Sequence, residues 1–389
     1  METPSPASRL AVPAGLAAAT AVLTIDLDAI AGNWRAAAAC LPPGARAAGV
    51  IKADAYGCGA RRVLPALAQA GCRDFFVALI DEALAVRDLL PPGGRLFVLS
   101  GPPPGAEALM RESGLIPVLN SLEQIHAWAR AAREAGTGPA PAAWHVDTGM
   151  TRLGLDLGEL ADLMAAPLPE GLALPVLLMS HLACADDPGH PLTDRQVETF
   201  ARAHALLPGV PTSLGASSGI FRGPATQGDL VRPGALLYGL NPTPEKPSPV
   251  RPVVRLEAKI LQGRLLDAPH PVGYGATVTL PAHRRLATVG VGYADGYPRA
   301  AGNRGLGVLA GTVVPVVGRI SMDLITLDVT EVPPAQVHPG ALVELLGPTF
   351  DADALAGCAG TIGYEILTGL GRRCLRVYLG GPPDTQEGP

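Results

Sequence analysis

Lysine is almost missing from this chain. Of its 30 basic side chains only three, Lys52, Lys246 and Lys259, carry an ammonium group, so the place of each one is informative. Charge of either sign is sparse, at 17% of residues with a formal net charge of −5, which leaves no basic footprint for nucleic acid. The segment Ala11–Val22 is apolar but too short to span a bilayer, and no basic cluster precedes it, so it reads poorly as a secretory signal. No other run is long and uncharged enough for a membrane helix. The cysteines (Cys40, Cys58, Cys72, Cys184, Cys358, Cys374) form no C-x-x-C pair and no metal-like spacing; they read as cytoplasmic thiols, with no metal expected.

What is present is apolar and rich in turns. Hydrophobic residues make up 48% of 389, enough for a large core. With 47 Gly and 40 Pro, about 22% of the chain, turn content stays under the ~25–30% that signals disorder. Eight short apolar runs recur: Ala47–Ile51, Phe75–Ile80, Leu96–Ser100, Ile116–Asn120, Ala143–Asp147, Val176–Leu182, Thr212–Ala216 and Leu230–Pro233. Between them lie helical periodicities over Ala60–Ala70, Asp81–Leu90, Leu122–Ala135, Leu157–Ala166 and Arg195–Leu207. Eight strand-helix units predict an α/β fold, a (β/α)8 TIM-type barrel. After the Pro-rich stretch Asn241–Pro252 the rhythm changes to strand-like runs at Val253–Ile260, Leu286–Val291, Thr312–Val317, Leu324–Val329 and Leu342–Leu346. The expected division is a barrel with an N-terminal extension over 1–245 and a C-terminal mostly-β domain over 246–389, with Pro382–Pro389 as a frayed tail.

Lys52 ends the first apolar run, where barrel enzymes place catalytic groups. Partial desolvation there would leave a free amine able to form a Schiff base; by position alone, a surface lysine at a strand end is the commoner reading. Runs seven and eight are followed by Ala216-Ser217-Ser218-Gly219 and Pro233-Gly234-Ala235, small residues of the kind that bind phosphate after those strands, with Arg232 just before the second loop. Such turns also occur in any loop. Together, a Schiff-base lysine and a phosphate cup suit an aldehyde with a phosphate arm, pyridoxal phosphate.

At this point the residues resemble a family. Gly49–Gly59, reading GVIKADAYGCG, is similar to the cofactor-lysine motif of alanine racemases. Further segments agree in order: Ile25–Asp28, Val146–Gly154, Ser180-His181, Ala216–Ser218, Val231–Gly234 with Tyr238-Gly239, Gly275–Thr277, Gly292–Gly296, Gly318–Asp323 and Tyr364-Glu365. The resemblance covers nearly the whole chain. It implies a pyridoxal-phosphate isomerase that interconverts L- and D-alanine, supplying D-alanine for peptidoglycan or catabolising it, and working as a cytoplasmic homodimer with shared active sites. Residue by residue, it implies that Lys52 carries the cofactor and is one catalytic base, and that Tyr293 of the other subunit is the second. It further implies phosphate contacts from Tyr56, Ser218, Gly234, Ala235 and Tyr364, with Arg232 facing the pyridine nitrogen and His181 packed on the ring. Arg152 and Met322 would bind substrate, and Asp186, Tyr274 and Arg319 would line the entryway.

Without the motifs, His181 reads as a structural histidine, Tyr293 equally as an exposed loop tyrosine, Met322 as packing, and Arg152 as a partner of Asp156 or Asp147. The chain departs from the family at three places. His145 replaces a lysine that is often carbamylated, so Arg152 would be positioned by His145 or an anion instead. Leu214 replaces a histidine near Arg232, and Cys58 replaces the histidine of the lysine motif. Two other functions share parts of this architecture, a pyridoxal-phosphate decarboxylase and a non-catalytic pyridoxal-phosphate carrier. The motifs Gly292–Gly296 and Arg319–Asp323 argue against the first, and the β domain against the second.

Overall fold

The computed structural model describes residues 14–136 and 138–382. They form two compact units, one built on Asp26–Val253 with the residues from Leu379, the other on the described residues up to Ile25 with Val254–Tyr378. This division differs from the expected 1–245 and 246–389, and the reason is strand pairing. Strand Ala21–Asp26 runs antiparallel to Val254–Leu265, with Ala21 opposite Ala258 and Ile25 opposite Val254, so the N-terminal segment completes the β unit instead of extending the barrel. The expected frayed tail lies outside the described residues except for Pro382.

In the first unit, seven strands pair in parallel and in chain order: Gly49–Val50, Asp74–Val77, Arg95–Val98, Ile116–Leu119, Ala143–His145, Leu177–Met179 and Thr212–Ser213. The eighth run, Leu230–Val231, pairs with Arg46–Ala47 just before strand one. Hydrogen bonds from Ala48 N–H to Val231 O (2.9 Å) and from Val50 N–H to Pro233 O (3.0 Å) continue that seam, and Arg232 N–H to Gly215 O (2.8 Å) links strands seven and eight. Strands buried on both faces read as unbroken apolar runs rather than alternations; Asp74–Val77 and Ile116–Leu119 are buried at every position. The buried Asp74 carboxylate is matched by Arg95 at 2.5 Å and Arg46 at 3.4 Å.

Helices Ala60–Ala70 and Leu122–Ala135 stand where the periodicity predicts them, and Leu157–Ala165 and Pro191–Ala205 nearly so. The segment expected over Asp81–Leu90 instead breaks into Ile80–Leu84 and a 3₁₀ turn, Arg87–Leu89. Beyond strands seven and eight the chain makes only the 3₁₀ turns Ser218–Arg222, Pro224–Thr226 and Ala235–Tyr238. The place next to Ala235–Tyr238 is covered by Leu27–Ala39, a helix that precedes strand one and also packs on Ala60–Ala70. It starts on an Asp26 cap, with Ala29 N–H donating to Oδ1 at 2.8 Å.

The β unit is organised on the long strand Val254–Leu265, which pairs with Ala21–Asp26, Leu342–Leu346 and Arg285–Val289. Leu306–Leu309 and Thr312–Pro315 extend one side, and Ile325–Asp328 pairs with Arg285–Val289. Two short helices, Ala352–Ala359 and Gly363–Gly369, precede the last strand, Leu375–Leu379.

Candidate active site

Strand Gly49–Val50 delivers Lys52 to its C-terminal end, and the backbone then turns the wrong way. Ala53, Asp54, Ala55 and Tyr56 all have φ between 53° and 55°, a left-handed turn made of residues with side chains. Each such residue costs about 1–2 kcal/mol, so the surroundings must impose the turn. Ala53 N–H donates to Glu82 Oε1 (2.6 Å) and Ala60 N–H to Asp54 Oδ1 (2.7 Å), while Gly57 N–H closes on Ala53 O (2.8 Å). Glu82, which the sequence did not single out, also accepts from Ala78 N–H at 2.7 Å. The turn carries Tyr56 inward, where its ring stacks on Tyr238 with centroids 4.6 Å apart.

Lys52 is half-buried, and among the described residues its amine has no hydrogen-bond or ion-pair partner. Burial holds its pKa below the usual lysine value, the Arg152 charge lowers it further, Glu82 opposes, and Arg232 lowers it again.

Across the barrel mouth, Ser217 is buried and its Oγ accepts from the N–H groups of Gly234 (3.1 Å) and Leu236 (3.3 Å), tying the loops after strands seven and eight together. The resemblance singles out Ser218, which begins the turn Ser218–Arg222, and not the buried Ser217; Ala235 begins the turn Ala235–Tyr238. A Cβ on Gly234 would fall 2.5 Å from Tyr56 Oη, so only glycine lets that hydroxyl lie against the backbone.

Arg232 is fully enclosed, and burial brings its pKa down to about 10. Its partners are neutral: Ser213 O (2.8 Å), Ser213 Oγ, Ser180 O (2.6 Å), Leu214 O (3.4 Å) and His181 Nδ1 (3.3 Å). Leu214 therefore meets Arg232 through its main-chain carbonyl. Because a guanidinium only donates, His181 accepts through Nδ1 and keeps its proton on Nε2. Burial, then Arg232 and the other cations, push its pKa down to about 3.

His145 is also neutral, pushed down to about 4 by burial and then by Arg232. Asn120 directs its amide nitrogen at Leu99 O (3.0 Å) and Val118 O (2.8 Å), which leaves Oδ1 to accept from His145 Nδ1 at 2.8 Å. Arg152 is exposed and has no ion pair or hydrogen bond among the described residues. Its ordinary partners are engaged elsewhere: Asp147 Oδ1 accepts from Gly149, Met150 and Thr151 N–H, and Asp156 caps its helix through Glu159 N–H.

The β unit carries the other named residues. Tyr293 is 41% exposed and Met322 52% exposed, on two loops joined by Tyr293 N–H to Ser321 O (3.1 Å) and Ala294 N–H to Met322 O (3.0 Å). Gly292 is required because a Cβ there would strike the Met322 carbonyl. Tyr364 stands half-exposed on helix Gly363–Gly369. Tyr274 is exposed, and Arg319 lies over the next residue, its guanidinium 3.1 Å from where a Gly275 Cβ would be. Asp186 is exposed in the barrel unit. The barrel thus gathers Lys52, His181 and Arg232 with the cup of Tyr56, Ser218, Gly234 and Ala235, whereas Tyr293 and Met322 are gathered in the β unit.

Two family models match the chain, described as "Alanine racemase, N-terminal domain" over residues 25–242 and "Alanine racemase, C-terminal domain" over 253–378. The chain belongs to the alanine racemase family. A curated alanine racemase from Rhodospirillum rubrum is 60% identical over 362 residues, 93% of this chain and 96% of the relative. A catabolic alanine racemase from Mesorhizobium japonicum is 46% identical, covering 95% and 96%. Among solved structures, the alanine racemase of Bartonella henselae with covalently bound pyridoxal phosphate is 42% identical, with a TM-score of 0.88 over 93% of this chain and 100% of that one. In this member of the alanine racemase family, His145 is neutral and held on Asn120.

Proposed function

We propose that this chain interconverts L- and D-alanine with pyridoxal phosphate carried on Lys52, each active site being completed by Tyr293 and Met322 of a second copy. The observation that carries this reading is the setting of Lys52: an amine of lowered basicity at a barrel strand end, close enough to a buried guanidinium without a carboxylate partner to feel its charge. The surrounding residues fit the cofactor. The Arg152 and Arg232 charges both lower the basicity of Lys52 against the single opposing carboxylate of Glu82, and a phosphate would add negative charge there. Gly234 opens a cradle in which the Tyr56 hydroxyl lies against the backbone.

Tyr56, Ser218, Gly234, Ala235 and Tyr364 would hold the phosphate, Arg232 would face the ring nitrogen and His181 would pack on the ring. When bound, pyridoxal phosphate supplies an electron sink that delocalises the Cα electron pair and so acidifies the Cα–H bond. Racemisation then needs one proton carrier on each face of a planar carbon. Lys52 Nζ takes or returns the proton on one face and Tyr293 Oη does so on the other, the two exchanging acid and base roles with the direction of reaction. The lowered pKa of Lys52 raises the fraction of free amine available for that transfer. Arg232, as a fixed cation, would disfavour a proton on the ring nitrogen of a bound cofactor and so limit competing chemistry. Arg152 and the Met322 backbone orient the substrate carboxylate, with Asp186, Tyr274 and Arg319 along the approach.

The exposure of Tyr293 and Met322 supports a homodimer, since side chains placed to serve another subunit must stand proud of their own. No helix among the described residues is long and apolar enough to cross a membrane, and we place the enzyme in the cytoplasm. The purified chain should acquire a visible, borohydride-sensitive absorbance with pyridoxal phosphate and form D-alanine from L-alanine. Lys52→Ala should lose the absorbance and at least about 10³-fold in rate. Bound cofactor without D-alanine would favour the carrier, and release of carbon dioxide from an amino acid the decarboxylase.

A further inference from the structure

We propose that Arg373 is a positioning residue that fixes Tyr293 relative to Met322 by bridging the two loops that carry them. The proposal rests on the two-base reading above. Arg373 belongs to neither loop; it lies between helix Gly363–Gly369 and strand Leu375–Leu379. Its Nε is 3.1 Å from Asp295 Oδ1 and its terminal nitrogen 2.8 Å from Asp323 Oδ1. Asp295 closes the Tyr293 turn from beneath: its side chain is 5% exposed, and its second oxygen accepts from Gly292 N–H at 2.9 Å. Asp323 directly follows Met322 and is 55% exposed.

The backbone bonds from Tyr293 to Ser321 and from Ala294 to Met322 align the loops along one edge, as a hinge does. The Arg373 fork adds a side-chain attachment between the two loops, and Gly371 N–H to Asp295 O (2.9 Å) anchors the segment that bears it. A rigid planar guanidinium can hold two carboxylates at a set separation; an ammonium is a single point charge on a flexible stem. The Asp323 arm of the fork is half-exposed and adds little to stability, so its loss is to be read in the geometry of proton transfer.

The test uses the holoenzyme and follows exchange of the α-proton with deuterated solvent separately from L- and D-alanine, alongside cofactor absorbance. Arg373→Met should slow exchange on the face served by Tyr293 about 10- to 100-fold, the scale of a misplacement of about 1 Å, with the Lys52 face and the absorbance nearly unchanged. Arg373→Lys should recover part of that loss. Asp323→Asn, at an exposed position, should slow the same face less, and it provides the measurement if Arg373→Met does not fold. Equal slowing of both faces, or no slowing in Asp323→Asn and Arg373→Lys, would overturn the proposal. Tyr293→Phe run in parallel separates the two ideas: if it slows both faces equally or neither, the two-base reading fails, whereas one slowed face with unaffected Arg373 variants removes only the clamp.

Discussion

Lys52 is half-buried among groups that alter one another's charge, on a backbone turn of disfavoured hand. Tyr293 is exposed, in a turn held by main-chain hydrogen bonds, glycines without room for a Cβ, and the buried Asp295. The barrel unit prepares a charge state: burial and two arginines lower the lysine and keep both histidines neutral. The β unit prepares a location, since nothing around Tyr293 encloses it within that unit. On the proposed reading, one base takes its reactivity from its own surroundings, while the other depends on what it is brought against. Variants of the first kind should act within a chain, and variants of the second between chains.

The largest expected effect tests that distinction. Lys52→Ala and Tyr293→Phe should each be nearly inactive as pure proteins. After subunit exchange, a mixture should recover up to about a quarter of parental activity, because random pairing makes half the dimers mixed and each has one intact site of two. No recovery, with exchange verified by mass, would mean that both bases come from one chain and that the contrast between the units has no bearing on assembly.

A smaller effect is expected inside the barrel. Gly234→Ala places a methyl group against Tyr56 Oη, and overpacking of this kind costs about 1–3 kcal/mol. Cofactor affinity should fall about 5- to 150-fold, with the Tyr293 turn untouched. Tyr56→Phe in the same chain removes the obstructing oxygen and should restore part of the packing while forfeiting the hydroxyl. If titration of the apoprotein with pyridoxal phosphate gives parental affinity for Gly234→Ala, the cradle is not where the phosphate binds.

The sequence was most legible where the reading depended on repetition. Seven of the eight apolar runs became strands of one parallel sheet and the eighth pairs with Arg46–Ala47, because parallel strands buried on both faces need such runs, and Lys52 stood out through the rarity of lysine. It was least legible where one residue acts on another far along the chain. Glu82, Ser217 and Asn120 hold the lysine turn, the cup and His145, and each looks locally like any loop or cap residue. The left-handed turn after Lys52 has no signal in Ala53-Asp54-Ala55 beyond the glycines that follow. Helix Leu27–Ala39 was missed because Leu23–Leu27 alternates like a strand, although Asp26 is a good cap before an alanine-rich segment. Ala21–Asp26 was credited to the wrong unit for a related reason: a strand's local pattern does not name its partner, and this one pairs more than 200 residues away.

The smallest effect is on stability, and it isolates the barrel's charge state from catalysis. His145 has a pKa of about 4 in the folded chain against 6.5 for an ordinary histidine. Between those values the unfolded chain binds a proton that the folded chain refuses, so stability is present above about pH 6.5 and is lost as pH falls toward 4. His181, pushed down to about 3, adds a second loss in the same direction and slightly lower window. Each contributes at most about 1.4 kcal/mol per pH unit. His145→Gln retains an N–H donor for Asn120 Oδ1 and removes the titration, so thermal unfolding of the cofactor-free variant should depend less steeply on pH across this window. At pH 7.5 and above its stability should differ little from the parent, because the parental histidine is then neutral in both states. An unchanged slope between pH 4 and 6.5 would mean that His145 takes up its proton in the folded barrel, and Arg152 would then face a cation rather than a neutral ring.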